Sequence, residues 1–347
     1  MAEALGTALG RIAASADPLP ERALGLLVAL RPAVPFDAAW LAFADPRRSS
    51  YTPLASLDLD DDIAGFFSGP AMAQDIATTG CDRDCLPMSP SDHSYPSSEH
   101  LSTWSDCLTP AGIHESLSVA LFVRGSRHVG FLTLLSKSRS VPSRTMRHRL
   151  AAIAPMMAAG IDTMPCLLAT TRLARGVTAG TVLRDDGLTE VLPGLDGDPL
   201  LAVGSPILDI ATQRLGDGLL YSSFLWPLGG PFAPDGHARI TVVAAPDDVP
   251  DVLAGVVLVS PAPSTHGLTP RELEVLGLVV DGCSNHEIAH TLIVAPRTVA
   301  AHIEHLLTKL DVSTRTTAAV RAEREGLYVP SVPGSPYGDP GCGEREN

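Results

Sequence analysis

The sequence lacks the features that mark membrane-spanning, secreted and disulfide-rich proteins. Its longest nearly uncharged apolar stretch beside a predicted helix, Leu150–Ile161, is well short of the roughly 20 residues that a membrane-spanning helix needs. Glu3 is acidic and no basic cluster precedes Leu5, so we expect no secretory signal. Six cysteines in 347 residues are too few for a disulfide scaffold. We therefore expect a soluble, cytoplasmic protein that does not contact a membrane and whose cysteines are thiols or metal ligands.

Motifs of several other classes are also missing. No G-x-S-x-G occurs, so the chain has no nucleophile elbow of a serine hydrolase. No G-x4-G-K-[ST] occurs, so it has no P-loop for nucleotide phosphates. No period of roughly 20–50 residues recurs, which excludes a repeat protein. We expect a protein that is not an enzyme and that has no cofactor.

Acidic residues outnumber basic ones: 39 Asp and Glu against 25 Lys and Arg give a net charge of −14. A chain this acidic argues against non-specific binding of nucleic acid or anionic membranes by the whole molecule. The acidity is spread along the chain, and residues 266–327 carry 6 basic and 8 acidic side chains. The composition therefore still allows a small DNA-reading module.

The composition, together with segments rich in proline, glycine and serine, predicts a multidomain α+β protein. With 45% apolar and 18% charged residues the chain is globular, and its length suits two or three domains. A Pro/Ser segment at Ser260–Gly267 and a Pro/Gly-rich end from Val329 interrupt the apolar patterns. The predicted organisation is an α+β sensory domain at 1–165, a second α+β domain at 166–260, a linker at 261–267, an all-α domain at 268–328 and a disordered tail at 329–347.

Apolar periodicity and turn residues assign elements to the two α+β domains. In the first we predict a helix, a buried strand, two helices, a hairpin and a last helix: Glu21–Leu30, Asp37–Ala44, Asp60–Phe67, Met72–Thr78, Ser116–Ser138 turning at Arg124–Arg127, and Arg144–Ile161. In the second we predict two strands, a helix and three strands: Val177–Arg184, Leu188–Leu192, Ile207–Leu215, Leu219–Leu225, Ala238–Ala244 and Val252–Val259. Residues 79–112 have no periodic pattern and are interpreted as a long loop.

Start and stop signals predict four helices in residues 268–328. Thr269–Glu272 and Ser284–Glu287 have the pattern of capping boxes, and Pro296 suits the first turn of the third helix. Ser313 is the expected cap of the fourth helix, and Gly326 ends it. The third helix carries an apolar stripe that predicts burial along one face: Val299, Ile303, Leu306, Leu307 and Leu310.

This block resembles the LuxR-type helix-turn-helix domain of bacterial transcription regulators. The resemblance rests on the run LTPRELEVL from Leu268, on Gly282–Ala289, and on Leu292, Arg297–Val299, His302, Lys309–Leu310 and Arg315. It implies double-stranded DNA as the partner, read by the second and third helices, because the major groove admits one helix of such a motif. The residues that it places at DNA are Ser284, Asn285, Arg297, Thr298, Ala300, Ala301, His302, Glu304, His305, Lys309 and Arg315.

The exposed face of the third helix is less basic than the family pattern, because Ala300 and Glu304 stand where lysines are often found. Glu304 either accepts a hydrogen bond from cytosine N4 or is a solvated residue, and Ala301 either contacts a thymine methyl group or is a small spacer. We expect His302 to reach a phosphate or to pack at the helix start. The other cations from which we expect contacts are Arg297, Lys309, Arg315 and Arg321. Non-specific affinity should therefore be weak.

The resemblance also implies a homodimer through the fourth helix, residues 313–325. Ala318, Ala319 and Ala322 are small residues that permit the close approach of two helices. RNA polymerase is a further candidate partner of such a regulator. The alternative interpretation is a signalling adaptor that keeps the helical fold and binds protein instead of DNA.

The front of the chain resembles sensory domains. Residues 15–165 are similar to GAF-type domains in layout and in the strand Val129–Leu134, and residues 176–260 are similar to a PAS-like fold in the order of elements. The GAF resemblance implies that an unidentified small molecule binds between the sheet (Asp37–Ala44, Val119–Leu135) and the loop 79–112. A phosphoacceptor receiver is not expected, since Asp60–Asp62 follow no apolar strand. A homoserine-lactone pocket is not expected, since Ala44 stands where its W-x3-Y motif needs tyrosine.

Thiols and imidazoles, the ligands that zinc prefers, are concentrated in and beside this loop. Three interpretations stay open: a metal-responsive site, a redox pair of Cys81 with Cys85, or reduced thiols in a loop over a pocket. The spacing C-x3-C is unusual for zinc, so we assign no metal. The members of the group are Cys81, Cys85, His93, His100, Cys107 and His114.

Overall fold

The computed structural model describes residues 2–45, 49–83, 86–92, 100–123, 127–171, 174, 176–230, 233–246, 249–250 and 252–331. The chain divides into two compact units, one that ends at Thr163 and one that begins at Met164. This division lies close to the predicted boundary at residue 165. In the part of the chain that the structure describes, no helix is both long enough and apolar enough to cross a membrane.

The first unit is built on an antiparallel sheet with the strand order β2-β1-β4-β3. Its strands among the described residues are β1 (Ala38–Asp45), β2 (Ser50–Leu57), β3 (Glu115–Val123) and β4 (Arg127–Ser136). One face packs against the helices α1 (Ala2–Ala13), α2 (Leu19–Leu30) and α5 (Arg144–Ile161). The other face packs against α3 (Asp61–Phe67), α4 (Pro70–Thr79) and a π-helical turn, Thr103–Leu108. Each face of the sheet therefore has its own apolar core.

The predicted helices and hairpin strands of this unit are confirmed to within a few residues, whereas β2 and α1 were missed. β2 lies at the edge of the sheet and contains Pro53, and the register of β1 against it shifts between Leu41 and Ala42. A proline inside a strand-like sequence argues against a regular strand, because proline cannot donate a backbone hydrogen bond. It is tolerated at the edge of a sheet or at a bulge. Three residues of the predicted hairpin turn, 124–126, lie outside the described residues.

The prediction of one long loop over residues 79–112 is wrong in its described parts. Met88 pairs with Ser118 of β3 through two backbone hydrogen bonds of 2.8 Å. Pro90–Asp92 form a short 3-10 helix, and the Thr103–Leu108 turn buries Leu108 against the sheet. Asp75 of α4 accepts the backbone N–H of Thr103 at 2.6 Å, which holds this turn in place.

The second unit begins with α6 (Met164–Thr171) and contains an antiparallel sheet in the order β6-β5-β9-β8-β7. All the predicted elements are present in its described residues, with bounds shifted by a few positions. The strands are β5 (Ala179–Arg184), β6 (Thr189–Val191), β7 (Tyr221–Pro227), β8 (His237–Ala244) and β9 (Leu253–Pro261), and α7 (Pro206–Gly216) packs on the sheet.

Four helices follow in the same unit: α8 (Pro270–Val280), α9 (Asn285–Thr291), α10 (Pro296–Lys309) and α11 (Arg315–Glu325). Two predictions about their flanks need correction. The linker predicted at 261–267 begins inside β9, which extends to Pro261. The tail predicted from Val329 is ordered at its start, because the backbone N–H of Val329 donates to Leu273 and the hydroxyl of Ser331 donates to Asp281 at 2.8 Å. Residues 332–347 lie outside the described residues.

Candidate nucleic-acid interface

The start of α8 is fixed by the predicted capping box. The side chain of Thr269 accepts the backbone N–H of Glu272 at 3.3 Å, and the carboxylate of Glu272 accepts the N–H of Thr269 at 2.7 Å. Glu272 is 3% exposed and also accepts a 2.7 Å hydrogen bond from the ammonium group of Lys309 at the end of α10. Burial alone would raise the pKa of Glu272, but Lys309 and Thr269 together hold it below its ordinary value. This carboxylate therefore ties α8 to α10.

The second predicted capping box, at α9, is also present. Ser284 accepts the backbone N–H of Glu287 at 3.3 Å, and the carboxylate of Glu287 accepts the N–H of Ser284. Arg315 joins the N-termini of α9 and α11, since its guanidinium donates to Asn285 Oδ1 at 3.0 Å and to the carbonyl oxygen of Cys283. Arg315 and Asn285 were both predicted to contact DNA. In the structure they are hydrogen-bonded to each other and connect two helices of the domain.

The helix α10 begins at Pro296 and buries the predicted stripe. Val299, Leu306 and Leu310 are fully buried, and Ile303 and Leu307 pack against the same core. Ala295, the residue before the helix, provides no side-chain acceptor for the N–H groups of the first turn. Solvent reaches the opposite face, where Arg297, Ala300, Ala301, Glu304 and His305 are all exposed.

The predicted site residues therefore divide into two groups. Ser284 is exposed like the five residues of the α10 face, and Thr298 and His302 are half-buried beside them. Lys309 is exposed, and Arg315 and Asn285 are half-buried, but all three are hydrogen-bonded to other residues of the domain. Arg321, another expected cation, donates to the carboxylate of Glu325 at 2.9 Å and to the carbonyl oxygen of Leu310. Among the described residues of α10, Arg297 is the exposed cation without an ion pair, so the face is even less basic than the sequence predicts.

The prediction for the fourth helix needs two corrections. Its cap is Thr314, which accepts the N–H of Thr317 at 3.1 Å, and not Ser313. Ala318 and Ala322 are 0% exposed and belong to the core of their own domain, so they are not available to a second copy. Gly326 ends the helix as predicted, with φ of 62°. The exposed residues of α11 include Thr316, Thr317, Val320, Glu323 and Arg324.

The helical block shares its core with the preceding sheet. Tyr328, just after α11, is 1% exposed, and its carbonyl oxygen accepts the N–H of Leu225 in β7 at 2.8 Å. Arg239 of β8 donates to the carbonyl oxygen of Glu325 at 2.6 Å. A Cβ atom at Gly326 would lie 2.6 Å from the hydroxyl oxygen of Ser223, so the chain passes the sheet at a point where only glycine fits. The sheet and α11 are thus joined by specific contacts.

The sequence contains an H-E-x-x-H spacing at His286–His290. This is the pattern of zinc proteases, in which both imidazoles bind the metal. Here the glutamate of the motif, Glu287, belongs to the capping box of α9. Among the described residues no group of three or more His, Cys, Asp or Glu side chains could hold a metal ion. The motif therefore serves the helix-turn-helix geometry.

A cavity of about 60 Å³ lies in the first unit at the place predicted for a small molecule. It is lined by α4, by residues 88–90 and 101–108, and by Ser118, Phe131 and Thr133 of the sheet. Cys81 lines it, and burial raises the pKa of this thiol and of the Cys107 thiol, which keeps both protonated. Cys85 and His93 of the predicted ligand group lie outside the described residues.

Known proteins with sequences similar to this chain match it in the four-helix block. Residues 266–322 match the family model described as bacterial regulatory proteins, luxR family, so this part of the chain is a LuxR-type helix-turn-helix domain. Over 60 residues the chain is 52% identical to the transcriptional regulatory protein LiaR of Bacillus subtilis, and over 61 residues it is 43% identical to DegU of Brevibacillus brevis. These matches cover 17% and 18% of this chain but 28% and 26% of the relatives, so the likeness is confined to one domain.

Two solved structures superpose on parts of the chain with TM-scores below 0.5. The GAF domain of a phosphoenolpyruvate-protein phosphotransferase from Coxiella burnetii superposes with a TM-score of 0.36 and 17% identity, and covers 49% of this chain and 96% of its own. The bacteriophytochrome RpBphP3 from R. palustris superposes with a TM-score of 0.35 and 13% identity, and covers 75% of this chain and 63% of its own.

Proposed function

We propose that the chain is a cytoplasmic transcriptional regulator that binds double-stranded DNA through α9 and α10 and couples a signal received upstream to promoter binding. The observation that carries the proposal is the exposed face of α10 on a domain that matches the luxR family over residues 266–322. The proposal assigns no catalytic reaction to the chain.

In this proposal α10 enters the major groove with its N-terminal half. Arg297 binds a phosphate, and the uncapped N–H groups of the first turn favour a second phosphate nearby. Ala300, Ala301 and Glu304 then face the base edges, where Glu304 can accept a hydrogen bond from cytosine N4. Lys309 and Arg315 act mainly by holding the helices together, since both have partners inside the domain.

A homodimer is the second part of the proposal, since a twofold protein reads the two half-sites of a palindromic operator. Its contact would use the exposed side of α11 around Val320, which is 43% exposed, and not the buried alanines. RNA polymerase is a further proposed partner of the DNA-bound regulator.

The signal is proposed to be a small molecule in the first unit. The cavity between the sheet and residues 88–90 and 101–108 supports this location, although a volume of about 60 Å³ holds a ligand of only a few heavy atoms. A larger ligand at that cavity would require residues 101–108 to move away from the sheet.

The test is binding of the full chain to a genomic library of duplexes, followed by titration of an enriched duplex and a scrambled one. We expect one set of duplexes to bind more tightly than the scrambled control. The double variant Ala300→Glu/Ala301→Glu should lose that preference. If no duplex is enriched at low salt, the chain does not bind DNA as proposed.

A signalling adaptor is the second candidate, and the scarcity of free cations on α10 favours it. In that case the same exposed face would bind a protein. The two candidates differ in one measurement, because only the regulator retains a duplex whose affinity falls as salt rises.

A further inference from the structure

A cleft of about 330 Å³ lies at one end of the first sheet, on the face opposite to the cavity described above. It opens between the α2–β1 connection at Val34–Phe36, the start of β3, the end of β4 and the β4–α5 connection at 138–143. This volume falls within the range of roughly 300–1,000 Å³ that is usual for sites of small molecules. Nothing in the function proposed above uses this cleft.

Strand alternation places the two cavities on different faces. Along β3, Leu117, Val119 and Leu121 face the core under α1, α2 and α5, whereas Ala120 faces the core under α3 and α4. Successive side chains of a strand point to opposite faces, so Glu115 shares the face of Leu117. The carboxylate of Glu115 therefore lies on the α5 side, at the base of the cleft.

Glu115 is a buried acidic residue in this cleft. It is 5% exposed, and its carboxylate accepts one hydrogen bond from a described residue, the backbone N–H of Ser116 at 3.1 Å. None of the described residues forms an ion pair with it. A buried carboxylate is unfavourable unless a cation or several donors compensate it, so this group suits a cationic partner that the described residues do not supply.

Two arginines that bond to the backbone of the cleft, Arg31 and Arg147, are already paired elsewhere. Arg31 bonds to the carbonyl oxygen of Phe36 but forms its ion pair with Asp58 at 2.5 Å. Arg147 bonds to the carbonyl oxygen of Pro142 but forms its ion pair with Asp92. Neither guanidinium neutralises Glu115.

The remaining lining is apolar with a few hydroxyl groups. Leu117, Leu134, Phe36 and Met146 form the walls, and Ser136 and Ser138 lie at the rim. The Ser136 hydroxyl donates to Asp37 at 3.2 Å, which brings a second carboxylate close to the rim. A molecule that fits must combine an apolar body with one positive charge.

We propose that this cleft binds a small aliphatic ammonium compound, with its charged nitrogen on the carboxylate of Glu115 and its hydrocarbon chain against Leu117, Leu134 and Met146. The ammonium group donates to the carboxylate oxygen and to a neighbouring serine, and the apolar walls exclude water from the pair. A neutral or anionic molecule of the same length would leave the carboxylate uncompensated and would bind more weakly.

The test uses the full chain and three probes of equal length: n-pentylammonium, 1-pentanol and pentanoate. Thermal unfolding and calorimetric titration are measured at constant ionic strength, so that screening by the salt does not differ between probes. The proposal expects saturable binding and a rise in the melting temperature with pentylammonium and neither effect with the other two. An equal response to pentanol, or no saturable response to the amine, overturns it.

Glu115→Gln is the decisive variant. Its control is Glu21→Gln, which makes the same substitution at an exposed position of the same unit. Gln keeps an acceptor for the Ser116 N–H but carries no charge, so the variant should melt at or above the temperature of the parent and should lose at least tenfold in amine affinity. The control should bind the amine like the parent. A marked fall in the melting temperature of Glu115→Gln without amine would show an internal partner for the carboxylate and would overturn the proposal. These measurements contain no DNA, so their failure is separate from any failure of the DNA-binding function.

Discussion

Arg297 and Lys309 are both cations of α10, yet their surroundings give them different roles. Arg297 is exposed at the start of the helix, whereas Lys309 is bonded to the buried carboxylate of Glu272. Arg297→Ala should reduce the slope of log affinity against log salt by about 0.9 per protomer, because one phosphate contact is lost. Lys309→Met should leave that slope unchanged and lower the free energy of unfolding by about 1–3 kcal/mol, because Glu272 loses its cation.

Salt titrations of DNA binding and chemical denaturation of both variants check this pair of expectations. These expectations are contradicted if Lys309→Met changes the salt slope of DNA binding while the free energy of unfolding of this variant equals that of the parent.

The residues Ala300 and Glu304 decide how much of the affinity depends on sequence. Ala300→Lys should tighten binding to an operator and to a scrambled duplex alike, and should steepen the salt slope by about 0.9 per protomer. If Glu304 accepts from a cytosine, Glu304→Ala should relax the preference at one base pair by about 1–3 kcal/mol. Competition titrations on both duplexes measure this difference. Equal gains on both would mean that Glu304 is a solvated residue that merely repels phosphates.

The pH dependence of stability should carry the signature of Glu272. Its pKa is lower in the folded domain than the ordinary value of 4.5, so the folded state favours the ionised form. The stabilisation is complete above pH 4.5 and is lost as the pH falls through the lowered pKa. Denaturation curves at several pH values should show that Glu272→Gln removes part of this acid sensitivity. An identical slope in parent and variant would show that Glu272 does not carry it.

Among the elements, the turn between α9 and α10 contains a strained residue. Ile293 has φ of 53° and is 71% exposed. The left-handed conformation costs a residue with a Cβ atom roughly 1–2 kcal/mol, and a β-branched side chain is especially unsuited to it. Asparagine tolerates this conformation better, so Ile293→Asn should raise the free energy of unfolding by about 1 kcal/mol. Thermal melts test this, with Ile293→Val as a β-branched control that should gain nothing.

The elements also differ in how readily the sequence revealed them. Capping boxes and prolines located the helices α8, α9 and α10 because these signals are local. The edge strand β2 was missed, since Pro53 breaks its pattern and its pairing with β1 depends on a bulge that only the partner strand defines. The cap of α11 was misplaced by one residue, because Ser313 and Thr314 have the same capping chemistry.

At the scale of the whole second unit, the sheet and the helical block should respond together to damage at Tyr328. This side chain is 1% exposed in a core that both share, so Tyr328→Ala should destabilise the unit by about 3–5 kcal/mol. In the full chain, hydrogen exchange should then speed up in β7 and in α8 alike. Tyr221→Ala, an exposed residue of β7, is the control and should change exchange little. A response confined to α8–α11 would support an independent domain beyond the predicted linker at 261–267.

The helix-turn-helix domain could be recognised from the sequence alone, because its capping residues and apolar stripe are local patterns. The same is true of positions 300 and 304, where the residues are Ala300 and Glu304 and not lysines. The sequence could not reveal that Lys309 and Arg315 are bonded to other helices of the domain, since their partners Glu272 and Asn285 lie far away along the chain. It also could not show that Ala318 and Ala322 face inward, or that Glu115 is buried with no ion pair from a described residue. These facts depend on which surfaces meet when the chain packs. Tertiary structure alone decides that, because burial and charge pairing are properties of neighbours in space.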